Sequence, residues 1–283
     1  MFYHGWCNIR GLNSRFLSRL MLSQAKLSQA MLPRVMAYPL IVFITFAATF
    51  PASSAELSIM LPQQSVRLEY PQPARLDTIL RDTNNQARLA NVQLDYLQAQ
   101  LFSLDKQSSI DSKKAQVVAQ LKALQARDAS MGTDKILDQI ERSQFHYREF
   151  ASLDYDLVQS LRNGNPQLLG HYQLNIGARN NKINFLGAVE QSESIVHKAQ
   201  WFLADYFNAL GDIRLDSASH STAFVIQPDG KVIEVAYGVW NFEPHFLAPG
   251  AIVYVPFKSL PSEFSSLNQD IADLLRHKVN HNE

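Results

Sequence analysis

Short stretches with an apolar/polar period of two and stretches with helical period follow one another in an order that already suggests an architecture. Val66-Arg-Leu-Glu-Tyr70 alternates strictly, as a half-buried strand does. Leu57 to Leu61 before it predicts a short strand broken at Pro62, and Pro71 and Pro73 end the pair. Leu76, Ile79 and Leu80 then recur at helical spacing. Leu89 to Leu104 continues as a long helical region. The next helix carries Val117, Val118, Leu121 and Leu124 on one face, with Asp111 available as its cap. Met131-Gly132 breaks it, and Thr133 or Asp134 can cap a shorter helix through Ile136, Leu137 and Ile140. Phe145-His-Tyr-Arg-Glu-Phe150 predicts a strand returning to the first sheet.

A second half opens after the turn cluster Asn163-Gly-Asn-Pro166. His171 to Ile176 and Ile183 to Val189 predict two strands, and Trp201 to Leu210 a helix ending at Gly211. Val225-Ile226 and Val232, Ile233, Val235 flank Pro228-Asp229-Gly230, a hairpin signal in which Pro sets φ and Gly supplies φ > 0. Ala251 to Val255 is apolar throughout, as in a strand covered on both faces. Ser262 to Arg276 predicts a terminal helix with Phe264, Leu267, Ile271, Leu274 and Leu275 on one face. Its polar face lacks the Lys and Arg excess of an interface-seeking helix, so packing on its own chain is favoured over membrane contact.

The expected fold class is therefore α+β. Two β-grasp-like domains would span 56–162, with a helical-hairpin insertion at 85–143, and 163–260, followed by an amphipathic helix at 261–283. The helical insertion would either lie against the first domain or act as an arm for a partner.

The first 55 residues stand apart. Leu40 to Phe50 is an apolar run behind Arg34 that ends at Ser53-Ser54-Ala55, the pattern of a secretory signal cleaved after Ala55. The run falls short of the about 20 apolar residues that a membrane span needs. Met21 or Met31 would give a signal of ordinary length. Cys7, the single cysteine, lies in this segment, so the exported chain would carry no thiol, as suits a periplasm. Five of the 26 basic residues and none of the 26 acidic ones precede residue 56, which leaves 21 against 26, a net charge of −5. That balance disfavours a nucleic-acid partner and a purely electrostatic hold on anionic lipid.

Several blocks together carry a family resemblance: Asp95-Tyr-Leu-Gln-Ala-Gln-Leu101, Leu153-Asp154, Asn165-Pro166, Leu169-Gly170, Gly187-Ala-Val189, Ile226-Gln-Pro-Asp-Gly230, Trp240-Asn241, Pro249-Gly-Ala-Ile-Val-Tyr-Val-Pro256, and Leu267-Asn268 with Ile271 and Leu274-Leu275. In order and spacing they resemble capsule-biosynthesis proteins of the GfcC type from about Leu57 to Val279. Arg179-Asn180-Asn181 departs from the short Arg-Pro turn of that family. The resemblance implies two β-grasp domains like those of Wza-type outer-membrane polysaccharide exporters. It also implies a role in polysaccharide assembly or export, with the export machinery or the polymer as partner.

Little in the residues themselves demands catalysis. Nucleophile-elbow, Walker, dinucleotide and zinc-helix motifs are absent, and no cofactor is expected. His171, His197, His220 and His245 show no ligand spacing. Asp216-Ser-Ala-Ser-His220 gathers triad residue types, but a triad is defined in space. Asp154 and Asp156 could form a glycosidase pair, although a capped helix start explains both more simply. Arg148, among aromatic residues and upstream of Asp154, is the best ligand-binding candidate, since its fork of donors suits a carboxylated sugar or a phosphate. A structural pairing with a nearby acid is the simpler role for it. The competing class is a polysaccharide-modifying enzyme with a site around Arg148 and Asp154.

Overall fold

The computed structural model describes residues 56–160 and 163–280. The segment expected to be a secretory signal, and Cys7 with it, lies outside them.

Leu57–Leu61 (β1) turns at Pro62 and left-handed Ser65 and pairs antiparallel with Val66–Tyr70 (β2). After Ala74–Arg75 (β3), Leu76–Leu89 (α1) buries Leu76, Ile79, Leu80, Thr83 and Ala87 along one stripe. The helix stops because Asn91 takes a positive φ and the Val92 N–H closes onto Ala87 O at 2.9 Å, a Schellman-type end. The long helix expected over 89–104 is therefore absent, and Gln100–Ser103 (β4) is a strand instead. All four of its residues are buried, so it shows no alternation from which a strand could be read.

Gln107–Arg127 (α2) and Thr133–Arg142 (α3) form the helical hairpin. Asp111 is not a cap: α2 begins a turn earlier, and Asp111 accepts from Gln107 Nε2 at 2.8 Å. Gly132, at φ 70°, rather than Thr133 or Asp134, precedes α3. Tyr147–Glu149 (β5), Tyr155–Ser160 (α4), Gln167–Leu168 (β6) and Gly170–Asn175 (β7) follow. Lys182–Gly187 (β8), Glu193–Val196 (β9), Leu203–Leu210 (α5), Thr222–Ile226 (β10), Val232–Ala236 (β11), Ile252–Val255 (β12) and Leu267–Leu275 (α6) complete the described chain.

Two five-stranded sheets result, in the orders β2-β1-β7-β4-β5 and β9-β8-β12-β10-β11. They have the same plan. An opening hairpin is followed by a last strand parallel to the first, then two antiparallel strands. The strand expected at His171–Ile176 as the start of the second half is thus β7, the closing strand of the first sheet, and the second sheet starts at Lys182. The α2–α3 hairpin stands between β4 and β5. At the matching place in the second sheet, between β10 and β11, there is only the Gln227–Lys231 turn.

The hairpin does not lie on the first sheet alone. Its buried stripe, Ile110, Val117, Leu121, Leu124, Ile136 and Ile140, belongs to the core built on the second sheet. Phe185 of β8 meets Tyr206 and Phe207 of α5. Its neighbour Leu186 must face the opposite way, and there it joins Tyr254, Ile136 of α3 and Ile271 of α6. The apolar face of α6 is consumed by this packing, with Leu267, Ile271, Leu274 and Leu275 all buried. A smaller core lies between α1 and the first sheet. Among the described residues no helix is long and apolar enough to cross a membrane.

Side-chain amides close the backbone where strands run out. Gln139 of α3 accepts the Gly187 N–H at 2.7 Å and donates to Gly187 O at 3.1 Å, standing where β9 has ended. Asn268 of α6 accepts from Phe257 N at 3.0 Å and donates to Phe257 O at 3.0 Å. Gln98 accepts from Asn180 N at 3.0 Å and donates to Asn180 O at 2.6 Å and Pro249 O at 3.0 Å, tying the approach to β4 to loops of the second sheet.

Candidate functional site

Arg148 is the middle residue of β5, opposite Phe102 of β4, and is only 5% exposed. Its guanidinium reaches out of the first sheet to the tip of the β10–β11 turn. Nη2 donates to Pro228 O and, at 3.4 Å, to Ala99 O. No carboxylate lies within 4.0 Å of it among the described residues. Burial lowers its pKa to about 10, with Asp229 opposing and Arg276 adding to the shift, so it stays charged at neutral pH. The structural acid partner expected for it is not there.

A second arginine completes the group. Arg276, just past α6, donates from Nε to Gly230 O at 2.7 Å and lies 4.1 Å above the Phe150 ring, with Arg148 5.7 Å from the same ring. Gly230 must lack a Cβ, because one would strike that ring. Two arginines, the Phe150 ring and the turn residues Asp229 and Gly230 thus line a cleft of about 610 Å³. Tyr96, Leu97 and Leu157 supply its apolar wall, and Lys231 its rim. Asp154 lines it as well, but its Oδ1 accepts from Asp156 N at 3.0 Å and Leu157 N at 3.1 Å, which makes it the cap of α4.

The chemistry this arrangement offers is recognition of an anion carrying an apolar or ring-shaped body. A desolvated arginine with unoccupied donors gains from an oxyanion, and the aromatic walls suit the faces of sugar rings. The other sequence candidates do not converge here. His171 pairs with Asp105 through Nδ1 at 3.0 Å on the surface, and His197 Nε2 contacts Leu247 O at 2.9 Å. Ser217 donates to Met131 O and Ser219 bonds Thr222, so no Ser–His pair forms around His220. No group of three possible metal ligands occurs among the described residues. Sequence reasoning missed Arg276, Asp229 and His277 as members of the site. The Pro-Asp-Gly turn was the one available signal, and it spoke only of a turn.

His277 positions Arg148: its Nδ1 accepts the Arg148 backbone N–H at 3.0 Å, so the ring is neutral with its proton on Nε2. Burial first, then Lys113, Arg276 and Arg148, lower its pKa from 6.5 to about 4. The unfolded chain therefore takes up this proton before the folded one does. The stability involved is fully present above about pH 6.5 and is lost as pH falls through that value towards 4. Discounted for partial solvent access, the loss should be about 1–2 kcal/mol. Urea unfolding of wild type and His277→Gln across this window should show a steeper decline for wild type; parallel curves would exclude the linkage.

Comparison with known proteins gives a consistent result. The family model described as Capsule biosynthesis GfcC, N-terminal, matches residues 53–179, and that described as Capsule biosynthesis GfcC C-terminal matches 191–280. The first match ends just after β7. The chain is also 28% identical over 177 residues to YjbG of Escherichia coli (strain K12), an uncharacterized protein, over 58% of this chain and 71% of that one.

Proposed function

The chain belongs to the capsule biosynthesis GfcC family, and from that membership we propose that it is an exported, periplasmic accessory factor that binds an acidic capsular or extracellular polysaccharide. The observation that carries this reading is Arg148: a buried cation with no carboxylate partner among the described residues, at the wall of an open cleft beside Phe150 and Arg276. A buried charge without a contacting carboxylate is costly, and a sugar carboxylate or phosphate entering the cleft would offset that cost. The partly apolar walls would take the ring faces while the arginine takes the charge. Export machinery at the outer membrane is the protein partner that would pass the polymer on.

The test is a pull-down of residues 56–283 from periplasm and solubilised outer membrane, with glycan analysed in the same eluate. Acidic glycan should be recovered, and Arg148→Met should lower its affinity by about tenfold or more. Recovery of an exporter component without glycan would replace polymer binding by an adaptor role. Turnover of the purified polymer, abolished by Arg148→Met, would replace it by an enzyme.

A further inference from the structure

A second cavity, of about 290 Å³, lies on the other side of the same backbone. Tyr96, Leu97 and Ala99 line the Arg148 cleft, whereas Gln98 between them lines the second cavity. The terminal segment divides in the same way, with Arg276 at the cleft and Lys278 to Asn280 at the second cavity. Lys182 and Asn184 of β8 and Arg142, the last residue of α3, line it as well.

The lining is one-sided in charge. Arg142, Lys182 and Lys278 are its ionic residues, and no acidic side chain lines it. Arg142 is tied by Nε to Asp138 at 2.8 Å, while neither lysine has a carboxylate within 4.0 Å among the described residues. Three of the five amides that line it have committed their acceptor ends. Asn180 Oδ1 takes the Lys182 N–H at 3.1 Å, Asn184 Oδ1 takes the Ser194 hydroxyl at 2.6 Å, and Gln98 Oε1 takes the Asn180 N–H. Such pairings hold these three amides in place and leave the Nδ2 groups of Asn180 and Asn184 as donors. Lys278 is half-buried, and burial alone lowers its ammonium pKa, a cost that a bound anion would remove. Amides with their acceptors occupied, beside three cations and no carboxylate in the lining, make an oxyanion receptor. The polar, amide-rich remainder suits a hydroxylated ligand better than an apolar one.

We infer that this cavity is a second binding site, in which Lys182, Lys278 and Arg142 hold the carboxylate or phosphate of an acidic sugar residue. The anion follows from the cavity itself; the sugar rests on the polysaccharide-binding reading above.

The test is titration of the protein as its cell produces it, followed by amide NMR. The probes are tetragalacturonate, maltotetraose and inorganic phosphate; the variants are Lys182→Met, Lys278→Met and Arg148→Met. Tetragalacturonate should shift the amides of Lys182, Lys278 and Asn280, and maltotetraose should not. Each lysine variant should weaken that binding by about tenfold. Lys182 is exposed at the start of β8, so its variant folds even if Lys278→Met does not. Arg148→Met should leave these shifts intact, so a failure of the Arg148 cleft to bind glycan would be seen separately. Response to phosphate but not to tetragalacturonate would overturn the sugar assignment. Equal response to maltotetraose, or no response to any probe, would overturn the site.

Discussion

Replacing Gly187 with alanine is expected to destabilise the fold by about 3–5 kcal/mol, enough to unfold a marginal domain. Gly187 ends β8 at a φ of +105°, a region that side chains other than glycine avoid. A Cβ there would strike the Val255 carbonyl oxygen and the Tyr254 ring. Neither can retreat. Val255 is in register with Gly187 in the parallel ladder, and Tyr254 is fully buried with its hydroxyl bonded to Asn268. Gln139 holds the Gly187 peptide from the other side, so the strand end cannot swing away without breaking two more hydrogen bonds. Gly211→Ala is the control: its φ of +73° is also positive, but nothing lies within 4 Å of the added methyl. With ψ at −159° it also occupies a region that only glycine adopts freely, so that variant should lose about 2 kcal/mol from backbone strain alone. Chemical denaturation of both checks the argument, and equal losses would show that backbone strain rather than collision decides.

Asn268→Ala should cost about 2–4 kcal/mol by the same measurement. Its amide serves three buried groups, the Tyr254 hydroxyl at 3.1 Å and both backbone polar atoms of Phe257. Phe257 faces Ala218 in an isolated bridge whose hydrogen bonds run through the flanking residues, Ser219 to Pro256 and Lys258 to Ser217. Its own N–H and C=O therefore point away, and Asn268 takes the place of a missing strand. Alanine leaves those groups buried and unpaired. Asn268→Asp should not rescue fully, because it keeps the acceptor but sets a carboxylate oxygen against Phe257 O. If the aspartate variant matched wild type, the bond to Phe257 O would carry no weight.

The edges of the architecture were legible and its centres were not. The β10–β11 hairpin could be read because a Pro-Asp-Gly turn separates two β-branched runs, and α6 because its apolar stripe is complete. β4 was misread as helix, since a four-residue strand buried throughout has neither alternation nor turn residues beside it. β7 was seen as a strand but given to the wrong sheet. Local pattern does not say that a chain will return to lie parallel to β1 more than a hundred residues later. The site divides along the same line. Arg148 and the capping role of Asp154 show in their local sequence. Arg276 looked like an ordinary cation at a helix end, and only the packing of α6 brings it to Gly230 and Phe150.

The amides of Gln98, Gln139 and Asn268 fasten the two sheets and the helical hairpin without using charge. Dissolved salt has no field to screen in such a fastening, and no proton is gained or lost by it across the pH range in which His277 titrates. Hydrolysis of any one of these amides converts a donor into a carboxylate oxygen aimed at a backbone carbonyl. Deamidation at any of these positions would therefore loosen a joint that ionic strength does not reach.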